Sequence, residues 1–273
     1  MTLFPNAKIN IGLKIISRRE DGFHDIETIL YPVALRDALE FVTVQSNGDS
    51  DELTVTGLKT DCRMSENLVI RTLNSLRRDF NIPALSIHLH KAIPMSSGLG
   101  GGSSDSAFML RYLNRYFRLG LCDRDMREIA LAIGSDCPFF IENRPAFAEG
   151  RGEKLKGVSR VLTGYNILII HPGIQITTAN AYASSIPDIP SVNLKDLYER
   201  AVETWNGVIE NDFEPWVFGK YPEIKEIKEE LYSSGAVYCS MTGSGSAIYG
   251  IYAGLPPADI FGDKYWKWQG VLE

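Results

Sequence analysis

Ile9, Ile11, Leu13 and Ile15 alternate with Lys8, Asn10, Gly12 and Lys14. That period of two predicts a half-buried strand with Lys8 and Asn10 sharing its polar face. Residues 18–22 read as a turn, and 39–44 and 52–56 as further strands separated by the polar stretch 46–51. Val69, Leu73, Leu76 and Phe80 recur at helical spacing behind Ser65 or Asn67, either of which suits an N-cap, and Pro83 closes the helix. Leu85, Ile87 and Leu89 then alternate with Ser86, His88 and His90, giving a strand that runs through Lys91 into a glycine-rich stretch. Phe108, Leu110, Leu113 and Phe117 mark the helix after it, and a second helical pattern over 123–133 stops at Gly134-Ser135-Asp136-Cys137-Pro138. From about Gly150 the pattern restarts with a strand at 167–171, a helix at 224–231 and strands at 237–240 and 247–252. Two lobes are expected, residues 1–150 and 151–273.

The stretch PMSSGLGGGSSDS places Gly98, Gly100, Gly101 and Gly102 within five positions, followed by Ser103 and Ser104 at the opening of a helix. Without Cβ atoms a polyanion reaches backbone N–H groups, and the helix N-terminus adds partial positive charge. Phosphate is the natural ligand of the run from Pro94 to Ser104. A dinucleotide fingerprint would need glycine at 103 and finds Ser103, and a Walker loop would need Gly-Lys-Ser where Ser103-Ser104-Asp105 stands. The protein-kinase triplets and the Gly-x-Ser-x-Gly elbow are absent. On its residues alone the run also fits a linker or a capping turn.

Of the 273 residues 44% are apolar and 23% charged, and the net charge of −6 is spread without a basic stripe, which excludes a nucleic-acid partner. No apolar stretch approaches the roughly 20 residues of a membrane span, and the N-terminus enters a strand directly, so a cytoplasmic protein is expected. Cys62, Cys122, Cys137 and Cys239 are scattered, as reduced and mostly buried thiols would be. His88 and His90 share a strand face, but nothing supplies a third metal ligand.

Three segments, PNAKINIGLKI at 5–15, PMSSGLGGGSSDSA at 94–107 and SMTGSGSAIYG at 240–250, together resemble the GHMP kinase superfamily of galactokinase, homoserine kinase, mevalonate kinase and phosphomevalonate kinase. Within it, residues 18–24, 134–140 and 146–153 are similar to the branch whose acceptor alcohol carries a cytidine diphosphate group. The resemblance implies an α+β, two-lobed GHMP-kinase fold, with an N-terminal lobe related to a ribosomal-protein domain containing a left-handed β-α-β crossover and a C-terminal α/β-sandwich lobe. It implies transfer of the γ-phosphoryl group of ATP to the 2-hydroxyl of a cytidine-linked methylerythritol, a step of non-mevalonate isoprenoid synthesis, by a monomer or homodimer. Mg2+ is expected with the nucleotide, its protein ligands unidentified. A mevalonate- or homoserine-type kinase, or a non-catalytic nucleotide-binding protein of the same fold, are the competing readings. Ser96-Ser97 replace a usual glycine pair, Asp105-Ser106 stand where Asn-Ala or Asp-Ala is common, and Phe23 takes the place of a tyrosine.

The resemblance assigns Asp136 as the base and Lys8 as the cation that stabilises negative charge beside it. By residue type alone they are a turn-capping carboxylate and an exposed strand lysine. It assigns the nucleotide phosphates to Pro94, Met95, Ser96, Ser97, Gly98, Leu99, Gly100, Gly101, Gly102, Ser103 and Ser104, and the surroundings of adenine to Asn67, Leu68 and Lys91. Asn67 has a competing role as an N-cap. Asn10 is either a substrate ligand or a solvent-facing strand residue. Phe23, His24, Tyr182 and Thr178 form the implied cytosine pocket, and the aromatics fit a core equally well. Thr242 to Ser246 either approach the first glycine run or form a tight turn.

Overall fold

The computed structural model describes residues 2–44, 50–60, 62–185, 187–188 and 192–273. Residues 46–49 of the expected polar stretch lie outside the described residues. In chain order the first half contains β1 (Thr2–Leu3), β2 (Asn6–Arg18), β3 (His24–Arg36), β4 (Ala38–Thr43), β5 (Glu52–Gly57), α1 (Leu68–Leu76), β6 (Leu85–Lys91), α2 (Gly101–Tyr116), α3 (Asp123–Ile133) and α4 (Phe139–Glu142). The second half contains β7 (Ala146–Gly150), β8 (Lys154–Gly157), β9 (Asn166–His171), α5 (Thr178–Ala183), α6 (Leu194–Tyr198), α7 (Glu214–Lys220), α8 (Pro222–Ser233), β10 (Tyr238–Met241), β11 (Ile248–Tyr252) and β12 (Trp266–Val271).

Packing divides the chain into two compact units. Unit 1 is Met1–Ala7, Leu35–Met95 and Gly100–Asn143; unit 2 is Lys8–Ala34, Ser96–Leu99 and Arg144–Glu273. The expected lobes were separated by one cut after residue 150, whereas unit 2 takes in most of β2 and β3. The reason is pairing, since these two strands form one sheet with β7 and β8.

In unit 1 the sheet order is β1-β4-β6-β5. β4 runs antiparallel to β6 with Leu39 opposite Leu89, and β5 runs parallel to β6 with Leu53 opposite Ile87, joined to it by a crossover through α1. Leu39, Phe41, Leu85, Ile87 and Leu89 are buried on one face, as are Val69, Leu73 and Leu76 of α1 and Leu110 and Leu113 of α2. The alternation read from residues 85–90 is therefore the pattern of a sheet covered by helices on one side. Thr56 Oγ1 lies 2.9 Å from His88 Nε2 and 3.0 Å from His90 Nδ1 on the other face.

Unit 2 contains the sheet β2-β3-β7-β8 and the antiparallel sheet β10-β11-β9-β12. Leu13, Ile15 and Ile26 join Leu168 and Ile170 of β9 and Ile224, Ile227 and Leu231 of α8 in one apolar core. Two features depart from the sequence pattern. β3 has no clean alternation and contains Pro32, because residues 28–31 are buried on both faces. β2 is also not half-buried: every residue from Asn6 to Leu13 is buried. Its edge is paired with a chain segment far away in sequence, residues 210–212, where Leu13 N–H donates to Glu210 O and Asp212 N–H to Leu13 O.

Asn211 holds that segment in place. Its Nδ2 donates to Met241 O and Gly243 O at 2.8 Å each, and its Oδ1 accepts from Phe213 N–H at 3.0 Å. Replacement by Ala removes three hydrogen bonds to buried backbone groups, of which Met241 O keeps a second donor, the Ser240 hydroxyl, while Gly243 O and Phe213 N–H each incur a desolvation penalty. We expect Asn211→Ala to lower unfolding free energy by about 3 kcal/mol in denaturant titration; a loss near the surface-substitution range of about 0.5 kcal/mol would contradict this account.

Candidate active site

In unit 2 the site begins at β2. Lys8 and Asn10 are 2% and 4% exposed. Lys8 Nζ donates to Asn10 Oδ1 at 2.5 Å, and Asn10 Nδ2 donates to Thr28 Oγ1 at 3.0 Å. The Thr28 hydroxyl donates in turn to Gly12 O at 2.6 Å. Neither the exposed lysine nor the solvent-facing asparagine holds, because the polar side of β2 is roofed by two glycine segments.

Those segments meet backbone to backbone. The Thr242 hydroxyl donates to Gly98 O at 3.1 Å and accepts from Asn10 N–H at 3.0 Å. Lys8 N–H donates to Leu99 O at 2.9 Å and Ala247 N–H to Ser97 O at 3.1 Å. Gly98 has φ +80°, and a Cβ there would sit 1.9 Å from Thr242 O. Only glycine tolerates both the dihedral and the approach. Residues 242–246 are at once a tight turn, with Gly245 N–H donating to Thr242 O, and a partner of the first run. Ser96, one of the two departures at the start of the run, has φ +51°, a region that favours glycine.

In unit 1 the run continues into α2. Gly100 has φ +72° immediately before the helix, and the space where Gly101 would carry a Cβ is filled by Ile93 Cγ2 at 2.9 Å and Lys91 Nζ at 3.3 Å. Leu68 Cδ1 lies 3.7 Å from the corresponding point on Gly102, which brings two of the expected nucleotide residues together. Asn67 caps α1, its Oδ1 accepting from Val69 N–H at 3.0 Å. The Ser104 hydroxyl is fully buried and makes no hydrogen bond within the described residues.

Lys91 lies in a buried charged cluster. Its ammonium ion-pairs with Asp37 and with Asp105, the latter at 2.7 Å, and all three side chains are buried. Its charge is matched by these two carboxylates. Burial is the main cause that pushes the Asp105 carboxyl up to about 7; Lys91 opposes the shift and Asp37 adds to it.

The Asp136 turn is anchored by the apolar residues on its C-terminal side. Cys137, Phe139 and Phe140 are buried, while Asp136 stays half-buried. Cys137 N–H donates to Gly134 O at 3.1 Å. A Cβ on Gly134 would lie 3.1 Å from Cys137 Sγ and 3.8 Å from Ser103 Oγ. Gly134 thus leaves room for the Cys137 thiol and lies beside Ser103 at the exit of the glycine run. Burial raises the Cys137 thiol to about 11, which keeps it a protonated packing group.

The four residues of the expected cytosine pocket lie in unit 2 in three separate contacts. His24 stacks on Tyr182 with ring centres 4.8 Å apart, and Tyr182 meets Phe213 edge-on at 4.9 Å. Phe23 is 46% exposed and carries the Arg151 guanidinium over its face at 3.6 Å. Thr178 Oγ1 lies 3.3 Å from Ser244 Oγ, at the second glycine segment. Burial, with a lesser contribution from Arg18, holds His24 below its ordinary pKa.

Sequence reasoning passed over Thr28, Asp37, Arg151 and Thr242 as individual functional residues. Asp37 is 54 positions from Lys91 and Thr242 is 144 from Gly98, so no local spacing marks them. Arg151 stood in a segment similar to the family but with no assigned partner. Among the described residues no group of three His, Cys, Asp or Glu side chains is arranged to hold a metal ion, and no helix is long and apolar enough to cross a membrane.

Comparison with known proteins gives a consistent picture. Residues 67–144 match the GHMP kinases N terminal domain and residues 193–265 the GHMP kinases C terminal domain. A Parabacteroides distasonis protein named 4-diphosphocytidyl-2-C-methyl-D-erythritol kinase is 42% identical over 275 residues, covering 100% of both chains. The crystal structure of a 4-(cytidine 5'-diphospho)-2C-methyl-D-erythritol kinase superposes with TM-score 0.80 at 30% identity, covering 100% of this chain and 99% of that one. The Methanococcus jannaschii mevalonate kinase superposes with TM-score 0.61 at 14% identity, over 92% and 90% of the two chains, a likeness of fold alone.

Relieving the left-handed serine in Ser96→Gly is expected to raise thermal stability by about 1 kcal/mol, the usual excess of left-handed strain over the added chain entropy of glycine; a destabilised variant would contradict it. Because the folded pKa of Asp105 lies above the ordinary aspartate value of 3.8, folding takes up a proton between about pH 4 and 7. The stabilisation from that proton is complete at low pH and is lost as pH rises through about 7. The unfolding free energy of the wild type relative to Asp105→Asn should therefore fall with rising pH across this window, at up to about 1.4 kcal/mol per unit. Denaturant titrations at a series of pH values measure the difference, and a flat difference would refute the raised value.

Proposed function

The chain belongs to the GHMP kinase family, and we propose that it phosphorylates the 2-hydroxyl of 4-diphosphocytidyl-2-C-methyl-D-erythritol with ATP, in the cytoplasm, as a step of non-mevalonate isoprenoid precursor synthesis. The observation that carries the chemistry is the seating of the Asp136 turn against Ser103 at the exit of the glycine run. The acceptor rests on similarity, since the relatives that bear this name match along the whole chain.

The glycine run fits a triphosphate. Its glycines leave backbone N–H groups bare, α2 begins inside it, and the orphaned Ser104 hydroxyl adds a donor suited to a phosphate oxygen. Gly98 to Ser104 hold the phosphates, with Asn67 and Leu68 toward adenine. ATP supplies the phosphoryl group and, with its Mg2+, charge neutralisation. Magnesium would be held by the nucleotide phosphates, since among the described residues no group of three His, Cys, Asp or Glu is arranged to hold it.

Asp136 orients the acceptor hydroxyl and takes its proton as the oxygen attacks. Lys8 provides a fixed positive charge, held rigid by Asn10 and through it by Thr28 and Thr242. Such a charge is worth most where water is excluded, and Lys8 is buried. His24, Tyr182 and Phe23 supply flat faces and Thr178 a hydroxyl, as a pyrimidine requires.

The test is ADP release with the cytidine-linked alcohol, mevalonate and homoserine as acceptors. We expect turnover with the first alone, and a loss of about 10³-fold in kcat for Asp136→Asn with ATP binding retained. Equal or better turnover with mevalonate or homoserine would overturn the acceptor assignment.

A further inference from the structure

Asp37 lies between β3 and β4 and is 1% exposed. Its Oδ1 accepts the N–H groups of Ala92 and Ile93 at 2.6 and 2.8 Å, at the entry to the glycine run, and its Oδ2 accepts from the Lys91 ammonium. The same ammonium donates to Asp105 Oδ2 at 2.7 Å, in α2, immediately past the exit of the run. One buried cation thus ties the chain before residue 94 to the chain after residue 104. Lys91 Nζ and the Ile93 side chain also fill the space over Gly101. Stability alone does not call for this arrangement, because apolar residues of similar volume usually serve as well as a buried ionic set. What charges add is direction: hydrogen bonds fix the separation and the rotation of the parts they join.

We propose that Asp37, Lys91 and Asp105 are positioning residues for the phosphate-binding run, a buried staple that holds its entry and exit in register so that the N–H groups of Gly100 to Ser103 are preset for the nucleotide. The proposal rests on the reading of that run as the ATP site. It separates the work of the two ends of the reaction: the staple acts on nucleotide affinity and leaves acceptor affinity alone. None of the three carboxyl and ammonium groups needs to touch the nucleotide for this effect.

Asp105→Ala removes one leg of the staple while keeping the Asp37–Lys91 pair, in a helical position where Ala is favourable. Two measurements are made, amide hydrogen exchange by mass spectrometry without ligand, and steady-state kinetics. Exchange in the peptide covering residues 92–107 is expected to rise about tenfold, as for loss of one charge-assisted hydrogen bond, with peptides of β10 and β11 unchanged. KM for ATP is expected to rise about tenfold, with kcat and the KM for the acceptor within about twofold of wild type. Asp105→Asn, which returns an acceptor oxygen to Lys91, is expected to restore both.

A folded Asp105→Ala whose loop exchange and KM for ATP stay within about twofold of wild type overturns the proposal. So does exchange that rises equally in every peptide, which is the mark of a merely structural role, and so does failure of Asn to rescue. If Asp105→Ala does not fold, Asp105→Ser, too short to reach the ammonium, is judged by the same criteria. A wild type that releases no ADP with any acceptor sinks the kinase reading, whereas the exchange measurement still decides whether the staple holds the loop.

Discussion

Gly98 and Thr242 approach so closely that a side chain on residue 98 would overlap the Thr242 carbonyl, and much of the order in unit 2 depends on that approach. Two segments separated by 144 positions are joined through it. Once they are joined, Thr242 stands over Asn10, Ala247 bonds to Ser97 and Lys8 bonds to Leu99. The result is a lysine at the centre of a dry, hydrogen-bonded cover instead of on a wet strand face. A buried ammonium is expensive unless its neighbours accept from it, and Asn10 does so at 2.5 Å. Glycine at 98 is therefore needed for bare backbone toward the second segment.

Unit 1 handles charge in another way. Lys91 is buried between two carboxylates, a set in which the negative groups outnumber the positive. Asp37 accepts from two backbone N–H groups as well as from the ammonium, while among the described residues Asp105 Oδ2 accepts from the ammonium and Oδ1 makes no hydrogen bond. Burial is the main cause that drives the Asp105 carboxyl toward neutral pH. The glycine run passes from unit 1 to unit 2 and back within a few residues, so its shape is governed by the packing of each unit where it passes.

The sequence by itself determined the order of elements around the site, because that order depends on local properties. Alternation in residues 85–90, an N-cap before residue 68, four glycines and a helical repeat after them suffice to read strand, loop and helix, and the resemblance built on such segments named the family correctly. Tertiary structure alone decided burial and partnership. Lys8 and Asn10 read as the polar face of a strand because the period of two reports which side a residue takes and says nothing about what lies above it. The pairing of Lys91 with Asp37 escaped notice because Asp37 is remote in sequence. β3 escaped notice because a strand buried on both faces carries no alternation. Local periodicity is imposed by the geometry of the backbone within a few residues and is written in the sequence; the match between a buried charge and its partner is made across tens to hundreds of positions, and only the folded chain brings them together.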